Sequence, residues 1–240
     1  FFFYLPLALT HMMMSGGTPI VNAGIARRPD AVGGLAAFAV AFSVSVLING
    51  LCFSIEPAAV AMIKGPSSYR RVLRFSLALG SAVSLGMYIF ALTPLSDIVF
   101  NLVFGLEAHL TASAVDTLVV FAILPLLLTL RSFGRGTLIV VSRTALVGWG
   151  TLLRLSTMTV IAILGGLGVL PLPGPILGAT AFACGVFAEM AAVLLGASRY
   201  THLLPGDEAR DIATSYKAIF NFTLPIIVSG LFSVAINIAM

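Results

Sequence analysis

The chain has 240 residues, of which 59% are apolar and only 9% charged, with a formal net charge of +4. A soluble domain needs far more charge than this to cover its surface, and basic residues gathered in short loops suit an anionic inner membrane leaflet better than nucleic acid. The two cysteines, Cys52 and Cys184, stand in apolar runs with no spacing that suggests a disulfide framework or a zinc site.

Apolar stretches near the roughly 20 residues that a helical span requires recur along the chain. The first covers about residues 1–23 and leads into the loop GIARRPDAVGG. A second, long enough to tilt, runs over 35–63 and is followed by KGPSSYRRVLR with four positive charges. The third is about 75–92. The mixed stretch TPLSDIVFNLVFGLEAHLTASA after it reads as an interfacial helix. The fourth covers 114–130 and RSFGRG opens the next basic loop. The fifth covers 146–170, a tight LPLPGP turn follows, and the sixth covers 176–197. A polar linker then leads to a seventh stretch starting near Ala218. The runs are continuous and lack period-two alternation, so helices are expected rather than barrel strands.

The charges follow the same rhythm. Ten of the thirteen basic residues fall after spans two, four and six: Lys64, Arg70, Arg71, Arg74, then Arg131, Arg135, Arg143, then Arg199, Arg210, Lys217. Arg27 and Arg28 stand alone on the other side, and Arg154 lies within a span. Lys and Arg are retained inside during insertion, so the N-terminal end and the even-numbered loops are expected to be cytoplasmic. The chain starts and stops within apolar runs, which reads as a piece of a longer protein. Phe3-Tyr4-Leu5-Pro6-Leu7 is echoed by Phe222-Thr223-Leu224-Pro225-Ile226, and Thr10 then aligns with Ser229. A repeat after six spans and a linker is the sign of a transporter with two parallel halves. The expected organisation is a first six-helix bundle over 1–200, a cytoplasmic linker over 201–217 and the truncated start of a second bundle over 218–240.

Ionisable groups inside spans are expensive and each raises a functional hypothesis. Arg154 either snorkels to the inner headgroups or sits in a cavity, where its fork can grip a carboxylate or phosphate. Glu56, followed by Pro57, is a coupling site, a partner for a basic residue or a headgroup-level carboxylate. Glu189 has apolar sequence on both sides and is expected either to pair with Arg154 across two consecutive helices or to serve transport. Asp116 is placed at the N-terminus of the fourth span, where an acid is favourable. Thr10, His11, Thr18 and Asn22, with Pro19, form a broken polar stripe where a kinked or unwound turn is able to bind a ligand. Met12-Met13-Met14 reads as packing, and Gly165, Gly166 and Gly168 as points of close helix approach. No zinc motif, nucleophile elbow or phosphate-cradling loop is present, so no enzyme is expected.

Phe3-x-x-Pro6, Pro19-Ile20-Val21-Asn22 with Asp30-Ala31, Pro125, Leu130-Arg131-Ser132-Phe133-Gly134-Arg135-Gly136, Leu170-Pro171 and Gly178-Ala179-Thr180 occur in an order that resembles one half of a MATE-type transporter of the multidrug/oligosaccharidyl-lipid/polysaccharide (MOP) flippase superfamily. Pro19-Ile20-Val21-Asn22, Leu153-Arg154 and Glu189 look most like its progressive ankylosis branch. The resemblance implies two six-helix bundles, of which this chain is the first, and export of small anions such as pyrophosphate, nucleotide or citrate, with Arg154 as an anion ligand. Cation-coupled multidrug members typically carry Asp where this chain has Asn22, and Asn exchanges no proton.

The expectation is therefore an all-α polytopic integral membrane bundle of a MATE-like half, six spans plus a truncated seventh, in a plasma (inner) membrane. Its function is secondary active transport by alternating access, with no cofactor and with Na+ or H+ coupling left open. The partners are the bilayer, a small-molecule substrate, anionic if the resemblance holds, and the C-terminal half, with no nucleic acid. The substrate or ion-binding candidates are Arg154, Glu56, Glu189, Asn22, His11 and Thr18. A lipid-linked precursor flippase, a cation-coupled multidrug exporter and a non-transporting membrane scaffold are the alternatives.

Overall fold

The structure, a computed structural model, describes residues 16–204 and 215–239. Thr10, His11, the Met12–Met14 run and the first copy of the Phe-x-x-Pro repeat lie outside the described residues. The described chain is helical with no strand. In order it forms α1 (Gly17–Ile25), α2 (Ala31–Asn49), a 3-10 turn (Gly50–Ser54), α3 (Ile55–Met62), α4 (Pro66–Leu92), α5 (Pro94–Ile98) with a π turn (Val99–Val103), α6 (Ala108–Phe121), α7 (Leu124–Val140), α8 (Thr144–Gly166), α9 (Gly174–Arg199), a short 3-10 turn (Thr201–Leu203) and α10 (Tyr216–Ala239).

Five stretches among the described residues are long and apolar enough to cross a membrane: 31–62, 66–92, 108–140, 144–166 and 174–199. The chain thus has the build of an integral multi-pass membrane protein, and of the expected first span only the end, α1, is described. Leu85, Ile89, Val160, Phe187 and Leu195 stand exposed on these helices, where lipid tails solvate them as well as a core would.

Two of the five are broken, for readable reasons. The 32-residue stretch 31–62 exceeds a straight span and divides at the Gly50–Ser54 turn. Pro57 falls in the first turn of α3, where its lack of an N–H is harmless. The 33-residue stretch 108–140 divides just before Leu124-Pro125, and Pro125 again opens the new helix. α4 starts at Pro66, and the Ser68 hydroxyl accepts the N–H groups of Lys64 and Gly65 at 2.9 and 3.0 Å. This cap extends the helix backward, so most of the basic stretch KGPSSYRRVLR is the start of a helix rather than the expected loop.

The larger correction concerns RSFGRG, read from sequence as a loop. It lies in the middle of α7, and every residue from Arg131 to Leu138 is buried. The two glycines are there for contact. A Cβ on Gly134 would lie 2.9 Å from Val193 of α9, and one on Gly136 would lie 2.6 Å from Ala59 of α3. Small residues let backbones approach in this way. α7 is consequently enclosed by α3, α4 and α9, while α9 packs along both α7 and α8. Asp116 also departs from expectation: α6 begins at Ala108, so Asp116 is exposed in the helix interior instead of at its N-terminus. Gly165 and Gly166 meet Leu177 and Arg27 as expected of close-approach residues, but Gly168 is a turn residue with φ +78° and open space around it. Arg28 donates to the carbonyl oxygens of Gly165 (3.3 Å), Leu170 (3.2 Å) and Leu172 (2.5 Å), satisfying acceptors at the end of α8 and the turn beyond.

Candidate functional site

The enclosed helix α7 brings two guanidinium groups into the bundle. Arg131 and Arg135 are one helical turn apart and share a face, and both are 2% exposed. Glu189, at 0% exposure in α9, stands opposite. Arg131 Nη1 donates to Glu189 Oε2 at 3.1 Å, and Arg135 Nη1 donates to Oε1 at 3.3 Å. The third guanidinium comes from α8, where Arg154 Nη1 lies 3.6 Å from Glu189 Oε2. One turn earlier, the Thr151 hydroxyl donates to Oε1 at 3.3 Å. Gly150 lets α8 approach α9 beside this carboxylate, since a Cβ there would lie 3.0 Å from Val193 Cγ1.

A second carboxylate joins from α3. Glu56 Oε2 lies 3.1 Å from Arg135 Nε, and its side chain is 28% exposed. The two acids differ in kind. Glu189 is sealed in and holds three arginines in place; Glu56 holds one and reaches the surface of a cavity. Among the described residues, three guanidinium groups face two carboxylates in this cluster. Buried charge of this kind is tolerated only when paired and hydrogen-bonded.

Two cavities meet the cluster. The larger, about 540 Å3, is lined by Glu56, Arg131, Ser132 and Arg135 with Phe53, Pro57 and further apolar residues of α3 and α7. The smaller, about 180 Å3, is lined by Thr18, Asn49, Arg131 and Arg154, with Phe42, Phe53 and Phe182 among its walls. Arg131 and Phe53 belong to both. Arg154 Cζ sits over the Phe182 ring at 5.3 Å, a cation–π contact that turns the side chain inward. At 4% exposure it does not snorkel. A Cβ on Gly17 would lie 3.3 Å from Arg154 Nη2, so the glycine lets α1 close over the guanidinium.

Of the candidates named from sequence, Arg154, Glu189 and Glu56 join one ion network, and Thr18 lines the smaller cavity with Arg154. Asn22 lies one turn beyond Thr18 in α1, half-buried, and lines neither cavity. His11 lies outside the described residues. Sequence reasoning missed Arg131, Arg135, Thr151 and Asn49. The available signal was the i, i+4 spacing of the two arginines between LPLLLTL and TLIVV, which continues a helical span on both sides. No group of His, Cys, Asp and Glu able to hold a metal occurs among the described residues.

No family model matches the chain, and no curated protein matches it. Solved structures do. A MOP superfamily transporter from Pyrococcus furiosus Vc1 (DSM3638), noted for the reverse polarity of its binding pocket, is 17% identical with a TM-score of 0.67, covering 95% of this chain and 51% of that one. An outward-facing multidrug resistance MATE family transporter of the MOP superfamily is 16% identical, with a TM-score of 0.67 and the same coverage. A MATE protein in complex with MaD5 is 18% identical, with a TM-score of 0.62, covering 95% of this chain and 53% of that one. The chain spans about half the length of each of these structures. Over that half its fold is the one found in MATE-type transporters of the MOP superfamily.

Proposed function

We propose that the chain is one helical bundle of a non-enzymatic secondary transporter that works by alternating access and carries small anions. The observation that carries this reading is the cluster: three buried guanidinium groups on two carboxylates, next to a cavity of about 540 Å3. Arginine forks match the geometry of carboxylates and phosphates, and guanidinium groups in a water-poor site favour an anion over a cation. A multidrug exporter of cations calls for an acidic cavity; this one has Arg131 and Arg135 against Glu56 alone. A scaffold has no need of charges in its spans. The P. furiosus transporter, whose binding pocket is described as having reverse polarity, gives a precedent for the fold with a pocket of different polarity.

Several finer assignments go with this reading. Pro19-Ile20-Val21-Asn22, Leu153-Arg154 and Glu189 favour the progressive ankylosis branch, and a second bundle would supply the opposite wall of the pathway. Glu56, in the cavity wall, is the candidate for proton coupling, since Asn22 exchanges no proton. The side bearing Lys64, Arg143 and Arg199 is assigned to the cytoplasm of a plasma membrane.

The test is flux of labelled pyrophosphate, citrate and a cationic dye into vesicles holding the full-length protein. Anion flux is expected, with loss of about 90% or more in Arg135→Gln, as removal of one charge-assisted contact worth roughly 1.5–3 kcal/mol predicts. Absence of anion flux, or flux of the dye alone, would overturn the proposal.

A further inference from the structure

Arg27 and Arg28 stand together on the side of the chain that is otherwise poor in basic residues. The fold employs only one of them. Arg28 is bound to three carbonyl oxygens around the end of α8. Arg27 is exposed, and its guanidinium makes no hydrogen bond or ion pair among the described residues. Asp30, three residues on, lies against Gly33 instead. α1 and α8 run side by side in the same direction, with Gly17 beside Met158, Gly24 beside Ala162 and Arg27 beside Gly166. A Cβ on Gly166 would lie 3.0 Å from Arg27 Cδ, so the stem of the arginine rests across the last turn of α8. Arg27 thereby stands at one end of a groove of about 180 Å3 between the two helices. Ile20, Ala23 and Gly24 form its α1 wall, and Thr159, Ala162 and Ile163 its α8 wall. The Thr159 hydroxyl donates to Leu155 O of its own helix at 2.8 Å, so away from Arg27 the walls are aliphatic.

We infer that this groove binds one glycerophospholipid, with the lipid phosphate on Arg27 and an acyl chain between α1 and α8. The depth fits. Arg27 stands where the span 144–166 ends, the level of the phosphates. Ile20 lies seven positions earlier, about 10 Å along the helix axis. That distance exceeds the headgroup layer of one leaflet, roughly 5–8 Å, so the far end of the groove lies among acyl chains. Val160 and Ile163, exposed on neighbouring turns of α8, show that this side of the helix faces lipid. The chemistry fits as well. A guanidinium grips a phosphate through two parallel charge-assisted bonds. A free small anion would use Arg27 and leave the aliphatic walls bare. A chain without a phosphate would cover the walls and leave Arg27 unpaired. A phospholipid does both, and supplies the counter-charge that the described protein does not. The groove shares no residue with either cavity at the ion cluster, so the site stands whatever the protein carries.

Purified full-length protein is titrated with phosphatidylcholine, with diacylglycerol of the same chains and with glycerophosphocholine, and bound molecules are counted by native mass spectrometry. Phosphatidylcholine has no net charge, which keeps general attraction to the basic end of the bundle out of the measurement. It is expected to bind about tenfold or more tightly than either fragment, since each fragment makes only one of the two kinds of contact. Arg27→Gln should weaken phosphatidylcholine about tenfold and erase its advantage over diacylglycerol, and Arg27→Lys, which keeps the charge, should restore most of the affinity. Ala23→Phe fills the groove from an exposed position and leaves Arg27 in place. It should weaken phosphatidylcholine about tenfold and leave glycerophosphocholine unchanged. Glycerophosphocholine binding as tightly as the whole lipid would make Arg27 a site for free phosphates. Affinity indifferent to Ala23→Phe would take the chain out of the groove, and affinity indifferent to Arg27→Gln would take the phosphate off Arg27. Absence of bound lipid would mean that another helix covers the groove. Each of these four results would overturn the inference.

Discussion

Replacing Glu189 by Gln tests the cluster most directly. The change keeps the shape of the side chain and removes the charge that three guanidinium groups share. At contact distances of 3.1, 3.3 and 3.6 Å and an effective dielectric near 20, each pair contributes roughly 5 kcal/mol of gross attraction. Desolvation of the ions and repulsion among the arginines offset most of that. What remains when one partner of a buried pair is lost is about 3–5 kcal/mol. Among the described residues the three arginines are then left with Glu56 as their one carboxylate, and the Gln amide sets a donor against an arginine that had an acceptor. Thermal unfolding of the full-length protein in detergent or nanodiscs should show a midpoint depressed by on the order of 10 °C. Glu189→Ala should do no better, as it opens a hole without relieving the charge. A midpoint within 2 °C of wild type for Glu189→Gln would show that the arginines are neutralised from elsewhere, and the account of Glu189 as their common anchor would fail.

Glu56→Gln should be mild by comparison, below about 1 kcal/mol, because a partly exposed ion pair contributes little, and it should tighten anion binding in the larger cavity by freeing Arg135 Nε; weakened binding in calorimetry would refute this competition. Gly136→Ala should destabilise by about 1–3 kcal/mol as α7 is forced off α3, while Gly86→Ala, with nothing within 4 Å of its added methyl, should be neutral or stabilising by up to about 1 kcal/mol; the two unfolding midpoints in parallel decide it. Arg28→Ala removes three contacts to carbonyls at the end of α8 and should lower stability by about 2 kcal/mol, with hydrogen exchange rising first in residues 165–172.

Helix class and the rough position of the five described spans were legible because continuous apolar runs of bilayer length admit few other readings. The breaks in 31–62 and 108–140 were less so: the prolines were visible, but which turn they open depends on where the preceding helix stops. Arg154 and Glu189 could be paired from sequence because both are isolated charges in apolar surroundings on consecutive helices. Arg131 and Arg135 could not, since Arg and Gly together have loop composition. Only the contacts of Gly134 with Val193 and of Gly136 with Ala59 show that those glycines are packing residues. Asn49 carried no signal at all. Its place in the wall of the smaller cavity goes with the Gly50–Ser54 turn that follows it and with Ser45 taking its amide nitrogen.

The relocation of Arg131 and Arg135 bears on orientation. Both were counted among the ten basic residues on one side, and both are now spoken for by Glu189 inside the bundle. Eight basic residues remain there against Arg27 and Arg28, so the asymmetry keeps its sign. The folded chain also separates the two groups. Arg143 lies over the Tyr200 ring at 4.9 Å, which brings the α7–α8 turn beside the end of α9. Arg28 is bound at the opposite end of α8, on the carbonyls around the α8–α9 turn, where it is held by hydrogen bonds whichever way the protein is inserted. If the eight residues set the orientation, a cysteine at Ser142 faces the cytoplasm and one at Val169, 63% exposed, faces out. With Cys52 and Cys184 replaced by Ala, Val169→Cys should react with an impermeant maleimide on intact cells, and Ser142→Cys only after permeabilisation. The reverse pattern would mean that the loop charges do not govern insertion here, and the inside assignment of Lys64, Arg143 and Arg199 would fall with it.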